Sequence, residues 1–145
     1  MNPGSRVLRV VIDTNVLFSA VALPKDSPPA RVLDLVQMGR IQAFASPFIL
    51  NELERNLARK AGWDKERIQA LRKKMRGLMI FIEPVSRIDV IKSVDADNRI
   101  LECAADAKAD ILVTGNMKDI RPLGDFQGIR ILTPREFVEL YFPTR

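Results

Sequence analysis

Three acidic residues in this sequence, Asp13, Glu52 and Asp97, occupy positions that suit the binding of a divalent metal ion. Asp13 follows a β-branched run typical of a buried strand, and Glu52 lies six residues after Ser46, the predicted cap of a helix. Asp97 begins another predicted helix. In parallel α/β sheets, ligands bind beyond the carboxyl ends of the strands, where such positions meet. We therefore interpret the three acids as candidate catalytic and metal-binding residues.

Acidic side chains that converge need a cation, because neighbouring carboxylates repel each other. A divalent ion held by them activates bound water and stabilises the charge that develops on a phosphate and its leaving oxygen. Hydrolysis of a phosphodiester is the chemistry that fits this set. Asn116 and Asp119, which follow the end of another predicted strand, are additional candidate metal ligands.

Each of the three acids also has a purely structural interpretation. Asp13 is equally suited to capping the next helix, and Asp97 taken alone favours an N-cap. Glu52 shares its helix with Glu54 and, taken alone, would be a surface residue. The catalytic interpretation therefore depends on all three acids meeting at one sheet edge.

The residue types that are missing narrow the chemistry. The sequence contains no histidine, which excludes a histidine general base, a Ser-His-Asp triad and a histidine metal ligand. Its single cysteine, Cys103, excludes a thiolate zinc or iron–sulfur site and an internal disulfide. Any metal must therefore be bound by oxygen, which indicates Mg²⁺, Mn²⁺ or Ca²⁺.

A third class of protein, a nucleotide-binding or phosphoacceptor domain, fits poorly. The sequence contains neither the G-x-G-x-x-G nor the G-x-x-x-x-G-K-[ST] phosphate-binding pattern. A phosphoaspartate phosphatase would carry a second aspartate two residues after Asp13, but Asn15 stands there.

Positive charge is concentrated in the segment Arg55–Arg76, which holds nine basic and two acidic residues. That segment carries +7, and since the whole chain carries +5, the remainder carries −2. A basic block of this kind favours a polyanionic partner, with Arg55 and Arg59 closest to Glu52 along the chain. A solvated helix face is the alternative, and composition alone does not separate the two.

Strand and helix signals alternate along the chain and predict one α/β domain spanning residues 1–145 with a parallel sheet covered on both faces. Proline or a polar cap begins most helices: Pro28, Ser46–Pro47, Asp64 and Thr133–Pro134, with a capping box at Thr133 and Glu136. Pro24 closes the first helix, Asp97 to Lys108 forms another, and residues 115–128 are a loop with at most one helical turn. The predicted strands are Val7–Ile12, Ile41–Ala45, Met79–Ile82, Ile111–Thr114 and Ile129–Leu132.

No segment is suited to a membrane or to secretion. Residues Met1–Ser5 lack the apolar stretch and cleavage site of a signal peptide. The longest apolar run, Leu78–Ile82, is far shorter than the ~20 residues needed to span a bilayer. With one cysteine, typical of a reducing compartment, the sequence predicts a cytoplasmic protein.

Four motifs in this order resemble the PIN-domain family, most closely its branch of VapC-like toxins from bacterial and archaeal toxin–antitoxin pairs. The likeness extends from Val7 to Phe142. The motifs are Val11–Leu17, the helix beginning at Ser46–Pro47 with Glu52, Asp95–Ala104 and Ala109–Asn116.

The resemblance implies a three-layer α/β/α sandwich with a five-stranded parallel sheet and an acidic pocket for Mg²⁺ or Mn²⁺. It also implies endoribonuclease activity on single-stranded RNA and, often, a homodimer inhibited by a small antitoxin protein. By motif, Asp13, Glu52 and Asp97 match the first three acids of the family. Thr14, Asn15 and Thr114 match polar positions beside the acids and are expected to bind substrate.

The fourth acid of the family motif is replaced here. Many members have aspartate at the position of Asn116, and Asp119 lies three residues further on. An asparagine offers only a neutral oxygen, which weakens a second metal site. The alternative function is therefore a catalytically weakened PIN module that binds RNA or a protein partner without cutting.

Overall fold

Six strands and six helices form the part of the chain described by the structure, a computed structural model that covers residues 7–23 and 26–143. The strands are β1 (Arg9–Ile12), β2 (Gln42–Ala45), β3 (Ile80–Phe81), β4 (Ile111–Val113), β5 (Asp125–Phe126) and β6 (Ile129–Leu132). The helices are α1 (Thr14–Ala22), α2 (Pro28–Gln37), α3 (Pro47–Ala61), α4 (Lys65–Leu78), α5 (Asp95–Asp106) and α6 (Pro134–Tyr141). Pro24 and Met1–Ser5, on which two of the sequence predictions fall, lie outside the described residues.

The strands form a single sheet in the order β3-β2-β1-β4-β6-β5. All neighbouring pairs are parallel except β5 and β6, which form an antiparallel hairpin. The α/β class and the five predicted strands are confirmed. The strand count was wrong by one, because residues 115–128 contain β5 as well as the one helical turn allowed for there, a 3-10 helix at Arg121–Leu123.

Helices cover both faces of this sheet. α1 packs against α2 and α3, α3 against α4, and α2 against α6, whereas α5 packs against β1 and β2. α5 connects β3 back to β4, in the opposite direction to the connections that lead from β1 to β3. Because such crossovers are right-handed, the reversal places α5 on the other face. Burial on both faces explains why Val10, Val11, Leu112 and Val113 are all fully buried.

The helix ends follow the predicted capping chemistry. Ser46 accepts the backbone N–H of Ile49 at the start of α3, and Asp64 accepts that of Arg67 at the start of α4. Gly62 ends α3 in the left-handed conformation, with φ 69°, which suits glycine. None of the helices formed by the described residues is both long and apolar enough to cross a membrane.

A row of polar side chains on α5 holds the irregular segment that precedes it. Asn98, Glu102 and Asp106 are spaced one turn apart and accept backbone N–H groups of residues 85–91. Asn98 is completely buried, and its amide also donates to the carbonyl of Ile91 at 2.8 Å. We call these three residues the α5 ladder. It gives a segment without regular secondary structure a fixed path to the start of α5.

Candidate active site

The carboxyl ends of β1 and β4 form the point where the direction of the sheet reverses. From β1 the sheet continues to β2 on one side, and from β4 it continues to β6 on the other. α1, which follows β1, and α5, which leads into β4, lie on opposite faces, and ligands of α/β sheets bind in the crevice at such a reversal point. Asp13 and Thr114 are the residues that follow directly on these two strands.

Asp13 is bound to Thr114 across the crevice. The hydroxyl of Thr114 donates to Oδ2 of Asp13 at 2.7 Å, and both residues are buried, Asp13 with 5% of its surface exposed. Asp13 precedes α1 but makes no side-chain capping bond to it. The carboxylate of Asp13 therefore binds Thr114 and does not cap α1.

Burial raises the pKa of Asp13 to about 6. Hydrogen bonds from Thr114 and from the backbone N–H of Thr14 lower that pKa, and the charge of Asp97 raises it. The ionised carboxylate is therefore held in an unfavourable environment. A cation placed beside it would remove that penalty.

Asp97 lies in the first turn of α5, where Val94 and not Asp97 is the N-cap. Its Oδ2 accepts the side-chain amide of Asn116 at 3.1 Å. Burial raises the pKa of Asp97, the bond from Asn116 lowers it, and the charge of Asp119 raises it further. Asp97 is thus electrostatically linked to Asp13 on one side and to Asp119 on the other.

Asn116 and Asp119 form a small turn after β4. Oδ1 of Asn116 accepts the backbone N–H groups of Lys118 at 3.2 Å and Asp119 at 2.9 Å. Oδ1 of Asp119 accepts the hydroxyl of Ser93 at 2.7 Å, which ties the turn to the segment before α5. The amide oxygen of Asn116, a candidate metal ligand, is therefore already occupied by two donors.

Two further predicted substrate residues lie beside Asp13. Oδ1 of Asn15, two residues after Asp13, accepts the backbone N–H of Gly115, the residue after Thr114, at 3.2 Å. A Cβ at Gly115 would lie 3.3 Å from that oxygen, so glycine allows this close approach. The hydroxyl of Thr14 is buried without a hydrogen-bond partner among the described residues. It is a polar group left available next to the carboxylates.

Glu52, Arg55 and Arg59 all lie on α3, which begins at the carboxyl end of β2. Glu52 is partly exposed and pairs with Arg55 one turn later, Nη1 to Oε1 2.5 Å, while Arg59 is exposed. Within residues 7–23 and 26–143, no three acidic or cysteine side chains lie close enough together to hold a metal ion, so Asp13, Glu52 and Asp97 do not form such a group.

The donors around the crevice nonetheless suit a hard divalent ion. They are all oxygens, and Mg²⁺ is commonly bound by one or two carboxylates with water completing its shell. The buried Asp13 beside Asp97 supplies such a pair.

Sequence reasoning missed Ser93, because its hydrogen bond to Asp119 joins residues 26 positions apart in the chain. It also missed the buried Asn98, although a polar residue on the otherwise apolar face of a helix indicates a buried hydrogen-bonding role.

Comparison with known proteins agrees with this architecture. The family model described as "PIN domain" matches residues 9–118. The uncharacterized protein MJ1680 of Methanocaldococcus jannaschii is 32% identical over 145 aligned residues, which cover 91% of this chain and 90% of that protein.

Two solved structures share the fold. A chain of VapBC2 from Rickettsia felis, crystallised with a DNA fragment from its promoter, superposes with a TM-score of 0.57 at 17% identity, covering 86% of this chain and 97% of that one. A chain of FitAcB from Neisseria gonorrhoeae superposes with a TM-score of 0.53 at 16% identity, covering 87% and 98%. With the profile match and the sequence relative, the predicted family is confirmed: the chain belongs to the PIN domain family.

Proposed function

We propose that this PIN domain is a metal-dependent endoribonuclease that cuts single-stranded RNA. The observation that carries the proposal is the buried Asp13, held by Thr114 at the reversal point of the sheet, with its pKa raised to about 6 and Asp97 beside it. Carboxylates with raised pKa values that lie together in a crevice are typical of functional sites. Nuclease chemistry at the level of the family is consistent with this.

Asp13 and Asp97 are the proposed metal ligands, with Glu52 and Asp119 joining them when the ion is bound. Mg²⁺ or Mn²⁺ would supply an activated water and charge stabilisation at the phosphate. Thr114 orients Asp13 and Asn116 orients Asp97, each through a hydrogen bond to one carboxylate oxygen.

The basic residues of α3 and α4 are the proposed contact for the RNA backbone. All nine basic side chains between Arg55 and Arg76 are exposed. Two of them are already paired, Arg55 with Glu52 and Arg72 with Glu54. The remaining cations extend from the predicted metal ligand Glu52 along the helix pair, a path suited to a strand of phosphates.

The test is cleavage of a labelled single-stranded RNA with Mn²⁺ or Mg²⁺ by the wild type and by Asp13→Asn. We expect activity to fall at least about 100-fold, since even changes behind metal ligands cost about 10–100-fold. Asp34→Asn, the same chemical change at an exposed position on α2, is the control and should cut normally. Equal cutting by wild type and Asp13→Asn would contradict the assignment.

A second function, a PIN module that binds without cutting, is favoured by one observation. The amide oxygen of Asn116 is occupied by two backbone donors and is not available to a metal. Metal titration separates the two functions: a competent site raises the melting temperature with Mn²⁺, and Asp97→Asn abolishes that effect. RNA binding without any metal-induced stabilisation would establish the binding module instead.

We further propose that the protein is the toxin of a toxin–antitoxin pair, and a cytoplasmic homodimer. Support comes from the shared fold with the VapBC2 and FitAcB complexes. Expression of the wild type alone should arrest growth, and co-expression of the reading frame adjacent to its gene should relieve the arrest. Gel filtration of the purified chain tests the dimer.

A further inference from the structure

A second concave site opens beside the acidic crevice. A cleft of about 450 Å³ lies between the starts of α1, α2 and α6, within the ~300–1,000 Å³ typical of small-molecule sites. Asn15 and Gly115, which are hydrogen-bonded to each other, line it, two residues after Asp13 and one residue after Thr114. Two lining residues of the cleft thus lie within two residues of Asp13 and Thr114 along the chain. We call it the α1–α6 cleft.

The walls and the rim of the α1–α6 cleft differ in chemistry. Val16 and three prolines, among them Pro29 and Pro134, provide rigid apolar surfaces. Ser19, Asn15 and Arg135 provide a hydroxyl, an amide and a guanidinium at the rim. A ligand with a flat apolar body and hydrogen-bonding edges matches this distribution, and a nucleobase has that form.

Arg135 is the positively charged side chain of the cleft, and its guanidinium has no hydrogen-bond or ion-pair partner among the described residues. It is exposed in the first turn of α6 and forms no hydrogen bond or ion pair there. Other arginines near carboxylates are engaged: Arg121 binds Glu136, and Arg99 binds Asp95 and Glu102. Arg135 is therefore available to a phosphate group at the mouth of the cleft.

We propose that the α1–α6 cleft receives the base of a nucleotide adjacent to the phosphate that is cut, with Arg135 holding a neighbouring phosphate. This inference rests on the proposed nuclease function and adds a subsite to it. A base seated between the prolines would fix the position of the strand relative to Asp13 and Asp97. The cleft would thereby contribute to the choice of cut site.

The test measures nucleotide binding without cleavage, in EDTA, by amide chemical shifts of the full chain. The probes are adenosine and uridine 5′-monophosphate, compared with ribose 5-phosphate, which lacks the base. We expect the nucleotides to shift the amides of Ser19, Gly115 and Arg135. Ribose 5-phosphate should bind about tenfold more weakly, the loss expected when roughly 50 Å² of apolar surface stays in water.

Two variants locate the binding. Arg135→Gln removes the cation and should weaken nucleotide binding several-fold, whereas Lys108→Gln, an exposed lysine at the other end of β4, removes the same charge without effect. Ser19→Phe fills the cleft and should abolish the shifts, with its melting temperature reporting whether it is folded. Because Arg135 is exposed, its variant tests the site even if the Ser19 variant does not fold.

The outcomes separate this inference from the proposed function. Equal binding of ribose 5-phosphate and nucleotides, shifts confined to other residues, or no shifts at all would overturn the base subsite. RNA cleavage with any of these results leaves the nuclease proposal intact. Nucleotide shifts in the cleft without cleavage by the metal-loaded wild type would support the subsite and contradict the nuclease.

Discussion

Asp13 lies in surroundings that disfavour its ionised form in the metal-free protein. Its carboxylate is buried, which disfavours the charged form, and Asp97 lies near enough to add repulsion. Thr114 offsets only part of this with its hydrogen bond. A pKa of about 6 in the folded chain, against 3.8 for the unfolded one, means that ionised Asp13 destabilises the metal-free fold.

Replacing Asp13 with asparagine should therefore stabilise the metal-free protein. The folded state takes up the proton more readily than the unfolded state, so this contribution to stability is present below about pH 4 and is lost as pH rises through about 6. At pH 8 in EDTA, Asp13→Asn should be more stable by on the order of 2 kcal/mol.

Urea unfolding at pH 5 and pH 8 checks this prediction. The advantage of Asp13→Asn should be larger at pH 8, and Mn²⁺ should stabilise only the wild type. The exposed variant Asp34→Asn should match the wild type at both pH values. A variant that is less stable than the wild type at pH 8 would show that Asp13 serves mainly as a structural acceptor for Thr114.

The sequence indicates where the acidic candidates lie along the chain but not what surrounds them. Asp13 follows β1 directly, Asp97 lies in the first turn of α5 and Asp119 lies in the loop after β4, and the sequence pattern indicates each of these positions. The hydroxyl that Asp119 accepts comes from Ser93, in a segment with no regular pattern. Contacts of that kind depend on the path of the chain in three dimensions, which local spacing does not encode.

At the scale of elements, the α5 ladder replaces the hydrogen bonds that a strand or helix would have provided. Asn98 is its most buried member and accepts the N–H groups of Val90 and Ile91 while donating to the carbonyl of Ile91. Removing that side chain would leave buried backbone groups without partners. The segment before α5 also contains Ser93, which donates to Asp119. Loss of the ladder would therefore disturb that contact at the acidic site.

Asn98→Leu should destabilise the protein by about 2–4 kcal/mol, because it leaves the two backbone N–H groups without an acceptor. Urea unfolding measures the loss. Asn51→Leu, the same change at an exposed position on α3, should alter stability by less than about 0.5 kcal/mol. Similar effects of the two variants would show that the segment holds its path without the ladder.

The contacts at the start of α6 should give the stability of the fold a second dependence on pH. Arg121 and the backbone N–H of Thr133 bind Glu136 and lower its pKa to about 2. The stabilisation is therefore complete above about pH 4.5 and is lost as pH falls towards 2. Because Glu136 is substantially exposed, solvent screens its pair with Arg121 and the effect is modest.

Glu136→Gln should be less stable than the wild type at pH 6, and the difference should shrink at pH 2.5. Thermal melts at the two pH values measure it. Glu139→Gln, on the same helix and exposed, is the matched control and should show no such convergence. A constant difference between Glu136→Gln and wild type at both pH values would contradict the assigned pKa.

Most elements were predictable because their ends carry specific chemistry, such as Ser46–Pro47 before α3 and the capping box before α6. β5 was not. It has only two residues, and its turn places Gln127 at φ 53° and Gly128 at φ 81°. Two-residue turns of this type usually have asparagine or aspartate where Gln127 stands, so the sequence lacks the usual hairpin signal.

Across the molecule, positive charge is concentrated on one pair of helices. The segment Arg55–Arg76 carries +7 on α3 and α4 while the rest of the chain carries −2. Ionic contacts with RNA release counterions, so binding should weaken steeply as salt increases. The salt dependence therefore reports how many of these cations meet the strand.

Lys73→Gln combined with Lys74→Gln should reduce the salt dependence of RNA binding in EDTA. Loss of two phosphate contacts lowers the slope of log affinity against log salt by about 1.4. Fluorescence anisotropy with a labelled single strand measures it. Arg87→Gln with Lys108→Gln removes the same charge outside α3 and α4 and should leave the slope unchanged. Equal slopes for both double variants would place the RNA elsewhere.

The central position of β1 has a consequence for synthesis of the chain. β1 pairs with β2 and with β4, and 101 residues separate Asp13 from Thr114. A nascent chain leaving the ribosome cannot shelter β1 on both sides or hold Asp13 until β4 has emerged, so folding waits for distant pairings. The bond between Asp13 and Thr114 is therefore absent during most of the synthesis of the chain.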